Sequence, residues 1–128
     1  MGATGPGPTD EVVAHLRRIC LAFPESTERP FGGHTAPAFR VRDKLFVHCH
    51  EDGSAFTCKA ALGDQGLLVA SDPVRFFVPA YVGHRGWVGM RLDGAVDWDE
   101  VAELAEDSYR LIAPRALVAR WDADHATP

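Results

Sequence analysis

Cysteine is scarce in this chain of 128 residues. There are three (Cys20, Cys49 and Cys58), too few and too unevenly spaced for a disulfide framework or a zinc knuckle. No apolar run approaches the roughly 20 residues of a membrane span, so no membrane contact is expected. The opening MGATGPGPT has neither a basic n-region nor an apolar core, so no secretory signal is expected and a reducing cytoplasm is the expected location. Positive charge is in deficit: 13 Lys and Arg stand against 18 Asp and Glu, for a net charge of −5. The field of the whole chain therefore does not attract nucleic acid or an anionic membrane. Three motifs are also missing: Gly-x-Ser-x-Gly, a phosphate-binding glycine loop and His-Glu-x-x-His. No catalytic residue and no cofactor is assigned, and a non-enzymatic protein is expected. What remains is an ordinary globular composition, 46% hydrophobic and 24% charged, at the length of one domain.

Residues 1–8 carry three glycines and two prolines and read as a flexible tail. Residues 122–128 are short and polar and read as a second, leaving one domain over 9–121. Thr9 suits a helix N-cap, with Asp10 and Glu11 in the first turn. Val12, Val13, Leu16, Ile19, Cys20 and Phe23 recur at helical spacing, and Pro24 ends the run. Three strands follow, over 37–41, 44–50 and 54–59. Asp52-Gly53 predicts a type I′ hairpin turn, which sets Cys49 opposite Phe56 and Val47 opposite Cys58. Strict alternation then puts Leu45, Val47, Cys49, Phe56 and Cys58 on one face, and Phe46, His48, His50, Thr57 and Lys59 on the other. A weak helix over 60–69, an irregular strand near 74–81 and a clearer one over 86–92 come next. Asp97 and Glu100 have capping-box spacing, opening a helix whose buried stripe is Val101, Leu104, Ala105, Ser108, Leu111 and Ile112. Pro114 starts a short terminal helix. Tight turns imply an antiparallel sheet, and helices before and after it imply one covered face: a two-layer α+β sandwich.

Phe23-Pro24-Glu25, Phe31-Gly32, and Pro37-Ala38-Phe39-Arg40-Val41 with Lys44 and Phe46 follow one another in order. Gly86-Trp87-Val88 and Ser108-Tyr109 come later. This succession resembles the MmcQ/YjbR family, also called CyaY-like, over roughly residues 12–113. The resemblance implies an α-β(3)-α-β(2)-α sandwich and carries a DNA-binding label, but no catalytic residue set. Phe31 stands where the family commonly has tryptophan, and Asp43 where it commonly has glycine.

Residues 29–91 hold eight bases and five acids, a local charge of +3. By strand parity Arg40, Arg42, His48, His50, Lys59, Trp87 and Arg91 share the face turned from the apolar set, with Arg85 in a neighbouring loop. Cations beside an aromatic suit phosphate contact and base stacking, or a protein partner. These eight residues form the candidate surface. Two readings follow: weak, sequence-independent DNA binding, and a protein-interaction or chaperone-like module, the chain itself being a monomer or weak dimer. A small-ligand or metal-binding domain is a third. His48, Cys49, His50 and Cys58 resemble metal ligands only in one dimension, because alternate side chains of a strand point apart. His48 and His50, with His34 as a third ligand, would hold a metal only weakly. The seven acids of residues 93–107, with Asp99, Glu103 and Glu106 on one helical face, read as a solvated surface. With neither a structural metal nor a disulfide expected, the thermal unfolding midpoint should be the same with and without a chelator or a reductant. A drop of several degrees with either reagent would show that the fold depends on one of them.

Overall fold

The computed structural model describes residues 8–29 and 36–126; Phe31, Gly32 and His34 lie outside this range, as do residues 1–7. Helix α1 runs over Pro8–Leu21, starting one residue ahead of Thr9. Strands β1 (Ser26–Glu28), β2 (Ala38–Val41), β3 (Lys44–Cys49) and β4 (Ala55–Lys59) follow. Helix α2 (Asp64–Ser71) and strand β5 (Phe76–Phe77) lead to a single 3₁₀ turn at Gly83–Arg85 and to β6 (Trp87–Arg91). Helices α3 (Trp98–Ile112) and α4 (Arg115–Asp124) complete the chain. All strand pairs are antiparallel, in one six-stranded sheet of order β1-β2-β3-β4-β6-β5. Helix α3 packs across β3 and β4, and α1 packs against α3 and β1. The fold is the expected α+β sandwich, with one more strand at its edge: β1 is short and polar and carries no alternation to betray it. Among the described residues no helix is long and apolar enough to cross a membrane.

The β3–β4 register is the expected one, with Val47 opposite Cys58 and Cys49 opposite Phe56. The turn type is not. Only Gly53 has a positive φ (73°) at that turn, and Asp52 accepts from Ser54 N (2.9 Å) and Ser54 Oγ (2.6 Å). The Asp52 carboxylate thus fixes its own backbone in a wider loop, closed by His50 N donating to Ala55 O. The two-residue turn with φ > 0 at both positions is instead Arg42-Asp43 (49° and 65°), joining Val41 to Lys44.

Strict alternation also fails along β3. Phe39 pairs with Val47 but Arg40 pairs with Leu45, so Phe46 is one residue too many. This β-bulge reverses the faces of the first half of the strand. Phe46, expected on the open face, is fully buried against Phe23 and Tyr109 in the helical layer. Leu45, expected in the core, is only half-buried.

Asp97 caps α3 as expected, accepting from the amides of Asp99 and Glu100. Glu100 does not reach back to complete a capping box; its carboxylate pairs with Arg75. Leu111, expected in the buried stripe, is 45% exposed, and Tyr109 is buried instead, so the stripe lies turned toward the other edge of the helix. At the other end α4 continues past the expected tail boundary to Asp124, and Asp122 pairs with Arg110.

Ser108 does more than line the core. Its Oγ donates to Phe46 O (2.6 Å) and accepts from Lys59 N (3.0 Å). The β3–β4 pairing ends at Val47 and Cys58, so the hydroxyl stands where the next rung would be. Ser108→Ala should cost about 1–3 kcal/mol, because it leaves a buried N–H and C=O unpaired. Urea unfolding with an unchanged m-value checks this, and a cost under about 0.5 kcal/mol would mean that the two strands close without the hydroxyl.

Candidate functional site

The open face of the sheet carries Ala38, Arg40, His48, Thr57, Lys59, Trp87 and Arg91, as pairing requires. It is not a bare cationic plate. Gly89 admits the Phe77 ring so closely that a Cβ there would lie 2.2 Å from it. Arg91 lies over that ring at 4.8 Å and donates to Val74 O (2.7 Å), while His50 meets the ring edge-on at 5.9 Å. Arg40 donates to Asp43 O. Arg42 is not on the face at all: it sits in the β2–β3 turn, where Nε and Nη2 both donate to Glu25 (2.7 and 3.3 Å). His48 is half-buried, and Trp87 is 8% exposed, so its ring is not offered for stacking.

Three of the candidate residues converge elsewhere. Lys59 Nζ donates to Arg85 O (3.1 Å) at the end of the sheet, where β4 leaves toward α2. Gln65 of α2 donates to Gly83 O (2.7 Å) and to Trp87 O (2.6 Å), strapping the helix to the 3₁₀ turn and to β6. Between these elements lies a cleft of about 550 Å³, lined among others by Lys59, Leu62, Gly66, His84, Arg85 and Leu111. On the other side of α2 a second cleft, of about 390 Å³, is walled by Asp64, Glu100, Glu103 and Asp107 and shares Lys59. Partial desolvation, helped by Glu106 and Asp64, raises the carboxyl of the otherwise exposed Asp107 above its ordinary value.

Large apolar side chains stand exposed on the segments that border the two clefts. Leu62 is fully exposed, Leu67 is 70% exposed and Tyr81 is 94% exposed. Tyr81 has φ 67°, and Val82 N donates to Ala80 O (2.7 Å) across it, a γ-turn of the strained hand. Val78, also exposed, lies against Gly83. Neither Tyr81 nor Leu62 is among the residues expected to bind. The stretch around Tyr81 reads as a strand, and Leu62 stands in a glycine-rich run whose only signal is an apolar residue with no periodic partner.

The acidic face of α3 is exposed at Asp99 and Glu103, while Glu106 pairs with Arg110. No group of three or more metal-ligating side chains gathers among the described residues. His48 and His50 lie with Glu51 and Asp52 along a shallow depression, and Cys49 and Cys58 are core residues.

The fold and this end define a small α+β sandwich whose sheet is closed on one side by helices. The chain belongs to the YjbR family, whose model matches residues 21–111. It is similar in structure to protein DR2400 of Deinococcus radiodurans, with a domain named DUF419: TM-score 0.72, 20% identity, 91% of this chain and 88% of that one covered. None of the curated proteins matches it.

All three thiols are free and buried. Burial pushes Cys58 up to about 12 and Cys49 up to about 11, and raises Cys20 well above the ordinary thiol value of 9.0. Above pH 9 the unfolded chain therefore loses thiol protons that the folded chain keeps, so stability falls as pH rises, by up to about 1.4 kcal/mol per pH unit for each thiol. Native protein at pH 8 should resist iodoacetamide at all three positions and react only when unfolded; fast alkylation of Cys49 or Cys58 in native buffer would contradict this burial.

Proposed function

We propose that this YjbR-family chain is a non-enzymatic protein-binding module, with its docking site at the end formed by α2, the 3₁₀ turn and the loop carrying Tyr81. The observation that carries this reading is the exposure of Tyr81 on a strained turn, two residues before Gly83 of the cleft that a fully exposed Leu62 also lines. Strain in an exposed, bulky residue persists where function holds it. Tyrosine and arginine are the commonest anchors of interfaces, and contiguous exposed apolar groups mark such surfaces. Arg85 adds a cation at the same cleft.

The nucleic-acid reading, weak and independent of sequence, has less in its favour. Phosphate neutralisation needs several available cations on one surface. Arg42 is in an ion pair, Arg91 is held on Phe77 and a carbonyl, and Trp87 is covered.

A pull-down from native cell extract, run with and without nuclease, separates the two. The expected result is a protein retained through nuclease treatment by the wild-type chain. Tyr81→Ala should weaken its capture by about 30-fold, the effect of losing a hot spot of roughly 2 kcal/mol, and Leu62→Asp should do the same. Material that disappears with nuclease, is indifferent to both variants and is lost on replacing Arg40 and Arg91 with glutamine would instead support nucleic acid.

A further inference from the structure

The cleft between α2 and the 3₁₀ turn has a chemistry of its own. The chain as a whole is acidic, at −5, yet none of the described residues lining this cleft is a carboxylate. Lys59, His84 and Arg85 all line it, from β4 on one side and the 3₁₀ turn on the other. Lys59 Nζ rests on the carbonyl of Arg85, which fixes the ammonium without neutralising it. Among the described residues, the ion pairs engage Arg17, Arg29, Arg42, Arg75 and Arg110, and none of these three. The acids Asp64, Glu100, Glu103 and Asp107 line the second cleft, which Lys59 also borders but His84 and Arg85 do not.

Gly66 gives an independent reason to regard the cleft as kept open. It lies inside α2, where glycine weakens a helix relative to alanine. Its backbone is not left-handed, and a Cβ placed on it would meet nothing within 4 Å. Neither conformation nor packing asks for glycine there. What a larger side chain would do is enter the cleft that Gly66 lines.

We propose that this cleft is a binding site for a small amphiphilic anion. A phosphoryl or carboxylate group would be held by Lys59, His84 and Arg85, and its apolar body would lie against Leu62 and Leu111. At about 550 Å³ the cleft falls within the range of small-molecule sites. Lining it with compact backbone and cations, rather than with hydroxyls or amides in quantity, suits an oxyanion over a neutral polar ligand.

The test is a titration of the full chain followed by ¹⁵N–¹H NMR, in which the glycine amides at 63, 66, 83 and 86 resolve well from other signals. Inorganic pyrophosphate and octanoate are the two probes, so that the phosphoryl and carboxylate sources are told apart. The expected result is saturable shifts at these four amides with at least one probe, at a Kd of about 1 mM or tighter. Arg85→Gln and Gly66→Leu should each weaken binding at least tenfold, and their amide dispersion shows directly whether they remain folded. Tyr81→Ala should leave the titration unchanged. Loss of partner capture in that variant with an intact titration keeps the anion site and the docking surface separately testable. The inference is overturned if neither probe gives saturable shifts. It is also overturned if the shifts spread over Lys44, Arg115 and Arg120 alike, or if Arg85→Gln and Gly66→Leu bind as the wild type does.

Discussion

The hydroxyl of Ser108 joins the two layers of this molecule at the point where they need joining most. An antiparallel ladder that stops inside a fold leaves a donor and an acceptor in a place water does not reach, and each is costly to bury alone. Here the bulge at Phe46 interrupts β3, and Ser108 Oγ takes up both loose ends, Phe46 O and Lys59 N. A side chain that both donates and accepts is required, and it must be short enough to let α3 lie flat on the sheet; serine satisfies both. The adjacent Tyr109 extends the same contact, its hydroxyl donating to Pro24 O (2.8 Å) and its ring stacked on Phe23 at 4.7 Å. Two consecutive residues of one helix thereby fix its height over β3 and β4 and its position against the end of α1.

The placement of the cleft follows from this anchor. Because Ser108 holds the amide of Lys59, the last residue of β4 is rigid on the core side while its ammonium reaches Arg85 O on the other. Ala60 N then donates to Gly86 O, and Gln65 bridges Gly83 and Trp87, so the chain leaving β4 stays against the chain entering β6. The helix between them buries no residue fully, with Leu68 and Val69 only partly covered. Its position comes from those polar straps more than from apolar packing.

What could be read from the sequence was local. The β3–β4 register follows from the apolar pairs on either side of the turn, Val47 and Cys49 against Phe56 and Cys58, since a slip of one residue would expose Cys49 and Phe56 together. The cap at Asp97 follows from its own side chain, and both results hold in the structure. The bulge does not follow, because its compensating group, Ser108, is 62 residues away along the chain. Nor does the burial of Trp87 on the face turned from the helices, where alternation alone leaves it open. The type I′ turn fell at Arg42-Asp43 instead of Asp52-Gly53 because an aspartate can either accept the left-handed backbone or use its carboxylate to hold another. At Asp52 the carboxylate is taken up by Ser54, two residues on, which holds the wider loop. At the candidate site the cations at Lys59 and Arg85 were legible and their convergence was not.

Charge deserves the same spatial reading. Summed over residues 29–91 the chain is +3, but a sum is a field only if the charges stand free of their counterions. Arg17 with Glu28, Arg29 with Asp43 and Arg42 with Glu25 form a row of pairs along the β1–β2 edge, and Arg75 meets Glu100. Each such pair is a dipole whose reach is short beside a Debye length of about 8 Å in physiological salt. The edge richest in arginine is therefore nearly neutral at a distance. At the end of the sheet the arrangement differs: among the described residues Lys59, His84 and Arg85 enter no ion pair, and only Lys59 also borders the acidic cleft. Low-dielectric walls strengthen the field of such a group inside a cleft and leave it weak outside. A protein of net charge −5 can in this way repel polyanions as a whole and still hold one oxyanion at a single place.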